Sequence, residues 1–160
     1  MKQLYIIDSL NVLHSDIEAK QLLNQSGLEV ALQWLVNCCA SLYVPKEREV
    51  YLVVDSSQSK LVHVPIFKED CFAIVHAPVH LTADGLIEQW VRKIGQSERI
   101  AVVTNDRMIQ DSVSASGAEV MTPLSFLRLC KQAAKAMGDS IDHQRKSRSK
   151  PFNNPFDLLS

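Results

Sequence analysis

The chain reads as an α/β protein built on a mostly parallel sheet of about five strands flanked by helices. Three observations predict this. Short apolar runs rich in β-branched residues recur along the 160 residues. The runs are near-continuous rather than alternating, the mark of strands buried on both faces, and helical patterns separate most of them.

Strands are expected at Gln3 to Ile7, Val50 to Val54, Phe72 to His76, Ile100 to Thr104 and Glu119 to Met121. Ser26 with Glu29 forms a capping-box pattern, followed by Leu28, Leu32, Leu35, Val36 and Cys39 at helical spacing. Thr82 is placed to cap a second helix that carries Leu86, Ile87, Trp90, Val91 and Ile94 and ends near Gly95. A third helix follows Asp106, with Met108, Ile109 and Val113 apolar and Gly117 beyond its end. Thr122-Pro123 opens a fourth, since proline at the first helical position gives up only an amide that has no partner there. From Gly138 onward the apolar periodicity stops. Residues 1–138 are therefore expected to form the domain, and residues 139–160 a basic, flexible tail.

An apolar content of 46% in 160 residues allows a real core, with about 70% of the unfolded surface buried on folding. No apolar run reaches the roughly 18 residues that a membrane span needs. Lys2 leads directly into Leu4-Tyr5-Ile6-Ile7-Asp8, too short and too soon charged for a signal sequence. A cytoplasmic protein without membrane partners is expected. Cys38, Cys39, Cys71 and Cys130 form no CxxC, pair with no histidine at zinc-like spacing, and read as buried, reduced thiols. The net charge of −1 conceals an asymmetry. Residues 1 to 140 hold 13 Lys/Arg against 16 Asp/Glu, and residues 141 to 160 hold 4 against 2. An acidic body binds a polyanion only if its carboxylates are gathered around cations.

The chemistry resides in three aspartates. Asp8 ends the first strand, Asp106 follows the fourth by one residue, and Asp84 lies in the first turn of the helix after Thr82. In an open parallel sheet the carboxyl ends of the strands share one edge, where ligand crevices form. Two like charges about 4 Å apart at an effective dielectric near 20 repel by roughly 4 kcal/mol, so a converging set calls for a cation. Oxygen-only ligands favour Mg²⁺ or Mn²⁺ over zinc, and the implied chemistry is phosphodiester hydrolysis. Any one of these aspartates alone is as readily a cap or turn former; the three together point to a site.

Further candidates surround them. Asp55 ends the second strand and reads first as a turn residue, second as a metal ligand; Glu88, four residues after Asp84, is a surface position or an outer ligand. Asn11 is placed to orient Asp8 or to hold the loop, and Thr104 and Asn105 bring a hydroxyl and an amide beside Asp106. Arg107 and Arg92 are candidate phosphate contacts. His14, His63, His76 and His80 lack ligand-like spacing, while Trp34 and Trp90 sit on apolar helix faces as packing residues.

At these residues the sequence resembles the YacP-like branch of the NYN domain family, which has the PIN-like nuclease fold. The resemblance rests on Leu4 to Leu13, on Leu52-Val53-Val54-Asp55, on Thr82 to Glu88, and on Val102 to Arg107 with Gln110, Gly117 and Phe126, all in family order. It implies a three-layer PIN-like fold and a metal-dependent endoribonuclease that uses Mg²⁺ or Mn²⁺. Asp8, Asp84 and Asp106 match the acidic cluster, and Asn11 the asparagine of the opening motif. The usual Asp-Gly-Tyr-Asn reads Asp8-Ser9-Leu10-Asn11, a second helix acid is Gly85, and the serine before the last aspartate is Asn105. These changes bear on substrate geometry and rate more than on the metal site.

Two other readings stand beside the nuclease. The altered opening motif and the basic tail suit a non-catalytic RNA- or ribosome-binding adaptor, and the same acids suit a DNA nuclease or phosphohydrolase. Phe152, Phe156, Leu158 and Leu159 beside prolines also resemble a short peptide that docks a protein partner.

Overall fold

The computed structural model describes residues 1–147, with side chains described for residues 1–138. Six strands form one sheet: β1 (Gln3–Asp8), β2 (Arg48–Asp55), β3 (Val62–Ile66), β4 (Glu69–Ala77), β5 (Arg99–Val103) and β6 (Glu119–Met121). Their spatial order is β3-β4-β2-β1-β5-β6, parallel throughout except for the β3-β4 pair. The helices are α1 (Ser9–Ser15), α2 (Ile17–Ser26), α3 (Leu28–Cys39), α4 (Thr82–Ile94), α5 (Arg107–Ala115) and α6 (Pro123–Ser147). The expected α/β class with a largely parallel central sheet is what the chain adopts.

Three layers follow from how the strands divide their side chains. Tyr5 and Ile7 of β1, with Val50, Leu52 and Val54 of β2, pack with α1, α2, α3 and α6 through Leu13, Ala19, Leu35 and Phe126. Leu4 and Ile6, with Val53 and Val75, pack on the opposite face against Leu86, Ile87 and Val91 of α4 and Ile109 and Val113 of α5. Residues two apart on a strand share a face, so an unbroken apolar run supplies both cores at once.

The sheet has one strand more than expected. β3 is an antiparallel edge strand whose residues are largely exposed, and it contains Pro65 next to a register shift. Its apolar alternation is weak because an edge strand buries little, and proline there gives up a ladder bond that only one neighbour could have used. The capping box at Ser26 also gives way. Ser26 is the last residue of α2, and Gly27, at φ 92°, separates it from α3 without any side-chain cap. Glycine alone takes that left-handed turn at no steric cost, and so two helices meet across a single residue. The segment before it, unassigned in the sequence reading, forms α1 and α2.

All four cysteines are free thiols; Cys39 and Cys130 are buried, whereas Cys38 and Cys71 are only partly so. α6 continues past Gly138 to Ser147, so the expected domain boundary falls within a helix. The remainder of the basic tail, including Phe152, Phe156, Leu158 and Leu159, lies outside the described residues. Among the described residues no helix is long and apolar enough to cross a membrane.

Phe126 is wholly buried against Tyr5, with ring centroids 6.2 Å apart, and so ties α6 to the sheet. Phe126→Ala is expected to cost about 3–5 kcal/mol in urea unfolding. Met108→Ala, at a residue 81% exposed, should stay within about 0.5 kcal/mol.

Candidate functional site

The acidic residues sit where strands end and helices begin. Asp8 is both the last residue of β1 and the N-cap of α1. Asp55 closes β2, Asp84 lies in the first turn of α4, and Asp106 is the N-cap of α5. β2 and β5 flank β1 and run parallel to it, so the carboxyl ends of the three share one edge. Asp55 Oδ1 accepts the Ala83 amide at 2.7 Å, which brings the start of α4 to that same edge.

One hydroxyl locks two of the strand ends together. Thr104, wholly buried, donates to Asp8 Oδ2 at 3.0 Å and accepts the Asp106 amide at 3.0 Å. Asn11 Oδ1 accepts the Asn105 amide at 2.8 Å, fastening α1 to the β5-α5 loop across 94 positions. Of the two roles expected for Asn11, its side chain holds the loop. Asn105 Nδ2 donates to Ser15 Oγ at 3.4 Å, and Ser15 in turn donates to the Asn11 carbonyl at 2.7 Å. Gln110 Nε2 donates to the Thr104 carbonyl at 2.8 Å. Sequence reasoning assigned no role to Ser15 or Gln110. Gln110 stood among the residues that carry the family resemblance, and it lies four residues after Asp106, one turn along the helix face.

Asp106 Oδ1 accepts the Met108 and Ile109 amides at 2.9 and 3.4 Å, and thus caps α5 as well as facing the edge. Asp55 likewise serves α4 as a capping acceptor, which supports its structural reading. Thr82 holds φ at 67°, an outlier for a β-branched residue, and its hydroxyl reaches the Gly85 amide only at 3.4 Å. The cap expected from Thr82 is therefore weak, and Asp55 takes the Ala83 amide from across the sheet edge.

Electrostatically the acids behave as one group. Burial, at 8% exposure, pushes the pKa of Asp8 up to about 6; the Thr104 hydroxyl offsets part of this, and the charges of Asp84 and Asp55 add to it. Asp84 is raised by partial loss of solvent and then by Asp106, Asp55 and Glu88. The donors are oxygen only, as hard divalent cations require. Among the described residues no three His, Cys, Asp or Glu side chains stand close enough to hold one ion between them.

The two arginines separate. Arg107 is exposed and adjoins Asp106 at the start of α5. Arg92 lies in the last turn of α4. Eight residues at 1.5 Å rise place it about 12 Å along the helix from Asp84, away from the acidic edge.

Asp8 binds its proton more tightly in the folded chain, near pH 6, than at its ordinary value of 3.8. Folding takes up a proton between these values, so this group lowers stability as pH rises from about 4 to 6 and keeps the full cost above that. Asp8→Asn is accordingly expected to raise stability, without added metal, by on the order of 2 kcal/mol at pH 7.5 and by nothing near pH 4. Urea unfolding at the two pH values measures the difference. No gain at pH 7.5 would contradict the burial and repulsion described for this carboxylate.

A family model described as YacP-like NYN domain matches residues 5–158. No curated protein matches the chain. Crystal structures of Rae1 (YacP) from Bacillus subtilis are similar in fold. The W164L mutant aligns with a TM-score of 0.72 at 19% identity, covering 93% of this chain and 86% of that one. A second structure of Rae1 aligns with a TM-score of 0.70 at 18% identity, covering 90% and 82%. With the family model matching nearly its whole length, the chain belongs to the YacP-like NYN domain family, whose fold is of the PIN-like nuclease type.

Proposed function

We infer that this protein is a metal-dependent endoribonuclease that hydrolyses RNA phosphodiester bonds at the acidic edge of its sheet. One arrangement supports the reading: Asp8 ends β1, Asp106 caps α5 just past the neighbouring parallel strand β5, and Asp84, in the first turn of α4, bears on Asp8 and is acted on by Asp106. Asp8, Asp84 and Asp106 would hold Mg²⁺ or Mn²⁺, with Asp55 and Glu88 as outer ligands. The ion, when bound, supplies the positive charge that offsets the carboxylates and the approaching phosphate.

The chain's own residues do the rest. Thr104 ties Asp8 to the end of β5, and its link to the Asp106 amide shapes the turn into α5. Asn11 and Asn105 tie down the loop between them. Arg107, exposed beside Asp106, is available to a phosphate oxygen. In hydrolysis the oxygen of water forms a bond to phosphorus and one ester P–O bond breaks. The water's proton passes to a carboxylate at the edge, and the leaving oxygen takes a proton from solvent.

The open spacing of the acids favours a second reading, a non-catalytic RNA- or ribosome-binding adaptor that uses the same edge. Purified protein with single-stranded RNA and Mg²⁺ or Mn²⁺ decides between them. Cleavage abolished by chelator is expected, and the Asp8→Asn, Asp106→Asn double variant should be slower by at least about a hundredfold. Undiminished cleavage by that variant, or RNA binding without cleavage, sinks the endoribonuclease. Parallel assays on DNA and phosphomonoesters separate a DNA nuclease or phosphohydrolase.

Position distinguishes the arginines. Arg107→Ala is expected to raise KM for RNA several-fold and to flatten its salt dependence, as the loss of a phosphate contact does. Arg92→Ala should leave both near the wild-type values. The reverse pattern would move the substrate path to the other edge of the sheet.

A further inference from the structure

Near the amino ends of the strands, opposite the acidic edge, a second polar group stands outside the candidate site. Glu49, on β2, is 7% exposed, and both its oxygens are held: Lys2 Nζ donates to Oε1 at 3.0 Å and the Tyr51 hydroxyl to Oε2 at 2.8 Å. Burial alone would raise the proton affinity of this carboxyl, but the bonds from Tyr51 and Lys2, with a lesser share from Cys71, outweigh it and hold the group below its ordinary value. Glu49 is therefore a carboxylate at neutral pH. One donor from Lys2 and one from Tyr51 leave acceptor sites over, since an ionised carboxylate takes about four.

Glu49 and Tyr51 lie two apart on β2 and so share a face of the sheet. Between that face and the last turns of α4 lies a cavity of about 450 Å³, to which Glu49, Tyr51, His63, Trp90 and Lys93 contribute. Its volume falls in the range of roughly 300–1,000 Å³ that suits small ligands. Leu4 and Ile6 of β1 supply apolar wall. Tyr51 and Trp90 meet edge to face, with centroids 5.7 Å apart and planes at 73°. That contact covers at most one face of one ring, and neither residue is fully buried, so aromatic surface is left for a flat ligand. Lys93 is exposed, nine residues along α4 from Asp84. At 1.5 Å rise this sets the cavity's ammonium about 14 Å from the acidic edge.

Charge and hydrogen bonding narrow the occupant. A cationic ligand would meet Lys2, already seated on Glu49, and Lys93 beyond it. A purely apolar ring would leave the remaining acceptor sites of Glu49 unpaired. A flat ring with adjacent N–H donors and an anionic group answers the aromatic surface, the carboxylate and the ammonium together. Guanine is the base whose pairing edge carries two adjacent donors, N1–H and the amino group; the other bases set an acceptor beside each donor. We propose that this cavity is a binding site for a guanine nucleotide: the base lies against Trp90 and Tyr51, its two donors meet Glu49, and Lys93 meets the phosphate. The site is separate from the acidic edge and does not rest on the endoribonuclease reading.

Isothermal titration calorimetry of the full chain with GMP tests this, with chelator present so that no metal bridges the phosphate to the acidic edge. GMP is expected to bind at least about tenfold more tightly than AMP, CMP or UMP, as paired donors on one acceptor group discriminate. Trp90→Ala should weaken GMP binding about tenfold, through loss of stacking. Lys93→Ala should weaken GMP about threefold and leave guanosine unchanged, as the loss of an exposed phosphate contact does. Glu49→Gln should bring GMP and AMP within about threefold of each other. Lys93 lies outside the core, so its variant and the nucleotide panel decide the matter even if Glu49→Gln fails to fold. AMP bound as tightly as GMP, no binding of any nucleotide at millimolar concentration, or wild-type GMP affinity in Trp90→Ala overturns the proposal.

Discussion

Everything at the acidic edge depends on a repulsion that the fold imposes and does not relieve. The parallel sheet carries the ends of β1, β2 and β5 to one line, and each delivers a carboxylate there or within three residues of it. Asp8 cannot retreat into solvent, because it is 8% exposed and its Oδ2 is held by the buried Thr104 hydroxyl. Asp84 meets the fields of Asp106, Asp55 and Glu88. Burial and neighbouring carboxylates therefore act on Asp8 and Asp84 together.

The scaffold offsets part of that cost. α4 and α5 begin at the edge, and the positive ends of their backbone dipoles favour negative charge in the first turn. Asp106 and Asp55 use carboxylate oxygens to satisfy amides of those same first turns. These two acids therefore have a structural task alongside any ligand role. Burial first, and neighbouring carboxylates with it, raise the affinity of Asp8 and of Asp84 for a proton. Capping thus anchors Asp55 and Asp106, whereas burial and neighbouring charge act on Asp8 and Asp84.

Rigidity at the edge comes from polar ties of long sequence separation. Thr104 to Asp8 spans 96 positions, Asn105 to Asn11 spans 94, and Asn105 to Ser15 spans 90. Each closes the same short gap between the β1-α1 and β5-α5 junctions. The Thr104–Asp8 bond is the buried one, and losing it leaves Asp8 desolvated and without that donor.

The strands of the sheet interior were legible in the sequence because burial on both faces writes an unbroken apolar run, as in Leu4 to Ile7 and Leu52 to Val54. β3 was not, because an exposed edge strand leaves little apolar pattern, and the start of α3 was misplaced because Ser26 and Glu29 imitate a cap that Gly27 makes unnecessary. The order of aspartates at strand ends was likewise readable, as was their edge, since parallel strands must end together. Only the tertiary structure decided which groups answer them: that Thr104 bridges Asp8 and Asp106, that Asp55 caps α4, and that Arg92 lies far along its helix. Periodicity records how each segment meets the core. Hydrogen-bond partners 90 or more positions away depend on how the segments meet one another, and no local pattern carries that.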